Sequence, residues 1–157
     1  MNLHIRSADG GDASDIVGLI EEMAEGTSDA GKLTPDYVGE YLQTPGCGVL
    51  VAESDGGIIG MLSYVVRPDL YHAAVTLYIQ EMMVTARRRK EGIGGLLLDE
   101  VMRRARALSC AEVSEAVVPD NAGAVRLYRS HGIDEQNILL EKHFQDFRPS
   151  MGDAIYR

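Results

Sequence analysis

The stretch Val84-Thr85-Ala86-Arg87-Arg88-Arg89-Lys90-Glu91-Gly92-Ile93-Gly94-Gly95-Leu96-Leu97 carries the most specific chemistry in this sequence. It follows an apolar run and opens a helical one. Glycines let a backbone approach a ligand closely and adopt φ/ψ values closed to other residues. The N–H groups of a first helical turn have no intrahelical partner and point into such a loop. Together with the helix dipole, worth about 0.3–1 kcal/mol per charge, they form an anion site. Four successive basic residues, Arg87, Arg88, Arg89 and Lys90, flank the glycines. The chemistry indicated is phosphate binding. Two better-known phosphate loops do not fit. A Walker loop needs Gly-Lys-Ser/Thr after four spacer residues, which this sequence lacks. A Rossmann fingerprint needs a third glycine where Leu97 stands, and it opens a βαβ unit, whereas this loop follows a hairpin-like pair of strands.

The elements that must hold this loop follow from periodicity and from cap and turn residues. Residues 3–6 read as a short strand. Asp12 or Ser14 caps a helix to about Ala24, with Ile16, Leu19, Ile20 and Met23 on one face. Thr34-Pro35-Asp36 starts a second helix with proline at its first position, and Gly46 to Gly48 breaks it. Residues 49–54 and 58–66 are strands joined by the hairpin signal Asp55-Gly56-Gly57, and Arg67-Pro68-Asp69 turns the chain. Residues 74–84 make a long strand, 94–108 a helix with Leu97, Val101, Ala105 and Leu108 on one face, and 112–118 another strand. Asp120 or Asn121 opens a helix with Ala124, Val125, Leu127 and Tyr128 inward and Gly132 just past its end. Residues 138–144 read as a last strand. This order predicts a mixed α/β fold, with 1–144 as a single domain and 145–157 as a tail of no clear period.

Size and charge set the outer bounds. The 157 residues make one domain at roughly 150 residues each, and 45% hydrophobic with 25% charged content is ordinary for a globular chain. No run approaches the roughly 18–20 apolar residues of a membrane span, and the early turn to acidic residues after Arg6 predicts no signal or transit peptide. Cys47 and Cys110 make neither a disulfide framework nor a metal knuckle, so a reducing, cytoplasmic setting and no metal are expected. A net charge of −9 argues against nonspecific nucleic-acid binding, and no membrane partner is expected either. The charge is uneven. Residues 1–86 hold three basic residues and thirteen acids, whereas nine of the fifteen basic residues lie between Arg87 and Arg129. Either the halves present ordinary solvated faces, or they meet ligands of different charge.

Three segments, taken in order, resemble one family. Arg89-x-x-Gly92-x-Gly94, after a strand ending Met82-Met83-Val84, resembles the pyrophosphate loop of the GNAT superfamily of acyl-CoA-dependent N-acetyltransferases. Asn121-x-x-Ala124-x-x-Leu127-Tyr128-x-x-x-Gly132-Ile133 is similar to its second helix motif, and Ile5-Arg6-x-Ala8 followed by Asp12, Asp15, Ile16 and Leu19 fits its opening. The resemblance implies a splayed mixed sheet of six to seven strands flanked by about four helices, with acetyl-CoA as co-substrate. It implies pantetheine in the splay against Met82, Met83 and Val84, and pyrophosphate on Arg89, Lys90, Glu91, Gly92, Ile93, Gly94 and Gly95. Asn121 and Tyr128 would face the thioester, with Tyr128 protonating the departing thiolate. Arg129, with Arg126, could reach the nucleotide 3′-phosphate or be a solvated helix charge. A homodimer is compatible with the family.

The implied reaction is direct attack of an amine on the thioester. A free alkylamine of pKa near 10.4 is neutral in about one molecule in 2,500 at pH 7, a cost of about 4.6 kcal/mol, so a base is needed. Glu81 is the first candidate, directly or through water; it could equally be a strand carboxylate paired with an arginine. Gln80 stands where related enzymes often place a glutamate. Tyr78 and Gln80 share the other face of the strand from Glu81 and could line the acceptor pocket. The acidic first half would suit a small cationic amine. A peptide or protein amine is the second reading, and a non-catalytic acyl-CoA-binding module the third.

Overall fold

A computed structural model describes residues 2–152. Among these, five strands form one sheet in sequence order: β1 (Leu3–Ser7), β2 (Cys47–Ser54), β3 (Gly57–Asp69), β4 (Ala74–Val84) and β5 (Glu112–Glu115). The first four strands pair antiparallel, and β5 joins β4 in parallel. Parallel pairing requires a crossover, which α3 (Ile93–Ala107) supplies. The other helices are α1 (Ala13–Ala24), α2 (Pro35–Gln43) and α4 (Ala122–Ser130).

Strand alternation builds two cores. Val49, Val51, Met61 and Met83 turn to one face and pack with Ala13, Ile16, Leu19 and Val38 of α1 and α2. Leu50, Ala52, Leu62, Leu77 and Ile79 turn to the other and pack with Ile93, Leu97, Leu98, Val101, Ala105 and Tyr128 of α3 and α4. Arg6 ties β1 to the start of α1. Its guanidinium donates to both carboxylate oxygens of Asp12 (2.7 and 2.9 Å) and to Glu53 Oε2 (2.8 Å).

Several expectations need correction. Asp12 stands at the N-cap of α1 but makes no side-chain cap bond, because its carboxylate is taken by Arg6 and by the Asp9 N–H (2.9 Å). Arg67-Pro68-Asp69 does not turn the chain; it extends β3, with Pro68 opposite Val75. The β2 ladder ends at Cys47 opposite Val65, so Pro68 has no neighbour on that side and its missing N–H breaks no bond. The turn falls at 70–73, where Ala73 takes a positive φ of 51°. The strand predicted over 112–118 stops at Glu115. The sheet has five strands rather than six to seven, and residues 138–144 are not a strand. Ile138 and Leu140 are 88% and 89% exposed, so their apolar alternation faces no second surface that would hold it in a ladder. The tail expected over 145–157 is irregular through 152; residues 153–157 lie outside the described residues.

Candidate active site

The sheet forks beside β4. The β4–β5 ladder ends at Ile79 opposite Glu115, while β4 continues to Val84 against β3 alone. Thr85 N–H donates to Ile59 O of β3 (2.9 Å). Antiparallel alternation then directs the backbone polar groups of Met82 and Val84 away from β3, into the fork. Val84 O accepts there from Arg89 Nε (3.2 Å). Met83 is not brought to the fork. Its backbone faces Met61 of β3, and its side chain, 6% exposed, lies in the α1–α2 core.

The loop from β4 to α3 is held at both ends. Glu22 of α1 accepts from Thr85 Oγ1 (3.0 Å) and from Ala86 N–H (2.7 Å), opening a 3-10 turn over Ala86–Arg88. These bonds, aided by Arg89 and Arg87, hold the Glu22 carboxyl below the usual carboxylate range. Lys90 and Gly92 both take left-handed φ values, 65° and 81°. Gly92 caps α3 with no side-chain bond, and Leu96 N–H makes the first helical bond to its carbonyl (3.2 Å). The amides of Ile93, Gly94 and Gly95 are thus left directed out of the first turn. A Cβ at Gly94 would lie 3.2 Å from Leu127 Cδ2, so a larger residue would make the Leu127 side chain of α4 give way by a few tenths of an ångström. Glu91 pairs with Arg88 (2.9 Å).

A second group of side chains forms around a bulge. Ser63 opposes Glu81 and Tyr64 opposes Ile79, leaving Gln80 as the extra residue of β4. The bulge reverses the strand's alternation, as bulges beside active sites commonly do. Leu77 and Ile79 face α3, yet Met83 faces α1. Glu81 therefore does not lie across the strand from Tyr78 and Gln80, as plain alternation predicted. All three reach the α2 side. Tyr41 Oη of α2 lies 2.8 Å from Gln80 Oε1 and 3.1 Å from the Tyr64 carbonyl. The buried Ser63 hydroxyl donates to Glu81 Oε2 and accepts from Glu81 N–H (3.1 Å).

From the opposite face, Tyr128 of α4 reaches the fork at 5% exposure. Glu115 ends β5 beside it, with Oε2 buried and without a hydrogen-bond partner among the described residues. Burial, with the Glu81 charge added, pushes the Glu115 carboxyl up to about 8. Burial, then the Glu115 charge, pushes the Tyr128 phenol up. Tyr78 is raised by burial and by the charges of Glu115, Glu141 and Glu81, and the Arg67 guanidinium lies 5.6 Å over its ring.

The acetyltransferase (GNAT) family model matches residues 18–133. The chain belongs to the GNAT acetyltransferase family. Its fold is that of solved acetyltransferases. An aminoglycoside acetyltransferase from an uncultured soil metagenomic sample, solved with sisomicin, matches at TM-score 0.78 and 18% identity over 91% of this chain and 95% of that one. The aminoglycoside acetyltransferase AAC(6')-Iy, solved with a CoA-linked bisubstrate analogue, matches at TM-score 0.76 and 20% identity over 92% and 99%. A transcriptional regulator from Bacillus halodurans matches at TM-score 0.77 and 23% identity over 91% and 100%. At these identities the likeness shows the fold. GNAT enzymes use acetyl-CoA.

In this GNAT chain, Met82, Val84 and residues 89–95 gather at the fork and the start of α3, and Tyr128 joins them from α4. Asn121 serves first as the N-cap of α4, its Oδ1 accepting from Ala124 N–H (3.2 Å). Arg129 is exposed in the last turn of α4. His131 bonds the Leu127 carbonyl (2.9 Å) at the helix end. Burial raises both cysteine thiols, as suits inert residues. Sequence reasoning missed Glu22, Tyr41, Ser63 and Glu115. Only tertiary placement singles these out, since each is an ordinary polar residue within its own element. Among the described residues no cluster has metal-site geometry, and no helix is long and apolar enough to cross a membrane.

Proposed function

We propose that this protein is an N-acetyltransferase that moves an acetyl group from acetyl-CoA to a primary amine of a small cationic acceptor by direct attack. The observation that carries the reading is the charge around Tyr78. Beyond the effect of burial, three carboxylates from three different segments, Glu115, Glu141 and Glu81, raise this one phenol against the single opposing charge of Arg67. Such a surplus of acid favours an ammonium group and disfavours an anion. The aminoglycoside acetyltransferases of like fold act on polyamines of this kind.

The chain's residues fit acetyl-CoA, which supplies the activated acetyl thioester. The outward amides of Ile93, Gly94 and Gly95, with the uncapped Gly92, match the oxygens of a pyrophosphate. Arg89 and Lys90 add positive charge, and the edge at Met82 and Val84, which no strand pairs with, matches the amides of pantetheine once Arg89 yields the Val84 carbonyl. Tyr128 donates its proton to the departing sulfur. A thiolate of pKa near 8.5 is already a fair leaving group, so this donation assists the step without being indispensable.

The test is acetyl-CoA turnover, read by thiol release, with neamine, spermidine and lysine- or amino-terminal peptides as acceptors. The expected result is turnover with the small polyamines. Turnover confined to peptides would assign the chain to protein acetylation, and no thiol release with any acceptor would leave an acyl-CoA-binding module.

A further inference from the structure

Glu115 belongs to no motif, yet its placement is the least economical in the molecule. It is the last residue of β5, in register with Ile79. Its neighbours on that face, Val113 and Val117, pack against the apolar core under α3 and α4. A valine or leucine there would continue the core. The chain instead holds a carboxyl with Oε2 buried and without a hydrogen-bond partner among the described residues. An unpaired buried carboxyl opposes folding, so its presence asks for a use in the reaction.

Resting on the reading of the chain as an amine acetyltransferase, we propose that Glu115, rather than Glu81, takes the protons from the acceptor nitrogen, releasing the first to solvent and passing the second on to Tyr128. The two carboxylates are differently placed. Glu81 is bonded by the Ser63 hydroxyl and turns to the α2 side of the sheet. Glu115 has no such donor and lies beside Tyr128, whose phenol feels its charge. The titratable groups near enough to exchange charge effects with it are Glu81 and Tyr78 of β4 and Tyr128 of α4; Glu141 also acts on Tyr78, and Arg67 lies over the Tyr78 ring. A docked ammonium supplies the counter-charge that the fork lacks, and so favours the ionised carboxyl that can accept its proton.

The Glu115 carboxylate first takes one proton from the ammonium and releases it to solvent. The freed nitrogen lone pair forms the N–C bond to the acetyl carbon, and a second N–H proton moves to the Glu115 carboxylate. The C–S bond breaks with its electron pair on sulfur, and the Tyr128 O–H proton moves to that sulfur. The proton held by Glu115 then returns to the Tyr128 phenolate, directly or through one water. The products are the amide, the thiol and one proton released to solvent, and both side chains are reset.

The test is the pH dependence of kcat/KM with neamine and spermidine for the parent protein, Glu115→Gln, Glu115→Asp and Glu81→Gln. The parent is expected to gain activity as pH rises through about 8, where the Glu115 carboxyl ionises. Glu115→Gln is expected to lose that limb and about 10²–10³ in kcat, with the KM for acetyl-CoA little changed. Glu115→Asp should recover part of the rate and keep the limb. Glu81→Gln should move the limb to lower pH, because it removes the like charge that raises Glu115. A fluorinated ethylamine, already neutral at pH 7, should shrink the Glu115→Gln deficit, which a purely structural role would not do. Parent turnover with the limb intact in Glu115→Gln would overturn this inference alone. No parent turnover with either polyamine would overturn the acetyltransferase reading and this inference with it.

Discussion

Replacing Glu115 by glutamine should make the protein more stable at neutral and basic pH, and the gain should follow one titration. In the folded chain the carboxyl holds its proton up to about 8, against 4.5 for an unperturbed glutamate. Between these values the folded state binds more protons than the unfolded state, so stability falls as pH rises from about 4.5 to 8. Each pKa unit is worth about 1.4 kcal/mol, which sets a ceiling of about 5 kcal/mol. The carboxyl is only partly sealed from solvent, and screening reduces the expected fall to ~2–3 kcal/mol. The carboxylates with lowered pKa work in a different window. Glu100, held down to about 2 by Arg103 and Arg104, and Asp12, held down by Arg6, contribute stability above their unfolded pKa and lose it as pH falls below about 4. Urea unfolding at pH 5 and pH 8 isolates the Glu115 contribution. The parent should lose ~2–3 kcal/mol between the two, and Glu115→Gln should lose almost none. An equal loss in both proteins would refute the placement of this carboxyl as buried and unpaired.

Three further outcomes are expected. Tyr128→Phe should lower kcat by about 10²-fold while leaving the affinity for acetyl-CoA nearly intact; an unchanged kcat in steady-state assays would remove its role as acid. Lys90→Gly should stabilise the fold by about 0.5–1 kcal/mol in urea, because a left-handed φ of 65° strains any side chain. It should also raise the KM for acetyl-CoA by removing a charge at the loop. Glu22→Ala should raise that KM several-fold with a change of no more than a few degrees in Tm. It deletes the bonds to Thr85 and Ala86 that fix the start of the loop, yet leaves the core packing untouched.

The parts of this molecule that were legible in sequence are those set by local physics. The loop glycines, the Thr34-Pro35 start of α2, the Asp55-Gly56 turn and the apolar faces of α1 and α3 each announce themselves within a few residues, although Met23 and Leu108 at the ends of those faces are exposed. The Thr34 cap is made as expected, accepting from Tyr37 N–H (3.2 Å). What was not legible depends on register. A bulge at Gln80 cannot be seen in β4 alone, because it is defined by what Ser63 and Tyr64 oppose, and it decides which face Glu81 takes. Pro68 signalled a turn, but its place beyond the end of the β2 ladder makes it harmless inside β3. The apolar alternation of 138–144 signalled a strand that no neighbouring edge pairs with. The acidity of the acceptor side was assigned to the first half of the chain, but Glu115 and Glu141, both from the second half, also act on Tyr78. Glu115 was invisible for the same reason: nothing near it in sequence says that its carboxyl is buried without a partner.

The most direct measurement follows the acetyl group itself. The protein is incubated with acetyl-CoA and neamine, and the acceptor is examined by mass spectrometry and NMR while released thiol is counted. The account predicts one acetyl group on an amine nitrogen of neamine for each thiol released. Thiol release without acetylated amine, or acetyl groups found only on protein side chains, would contradict it.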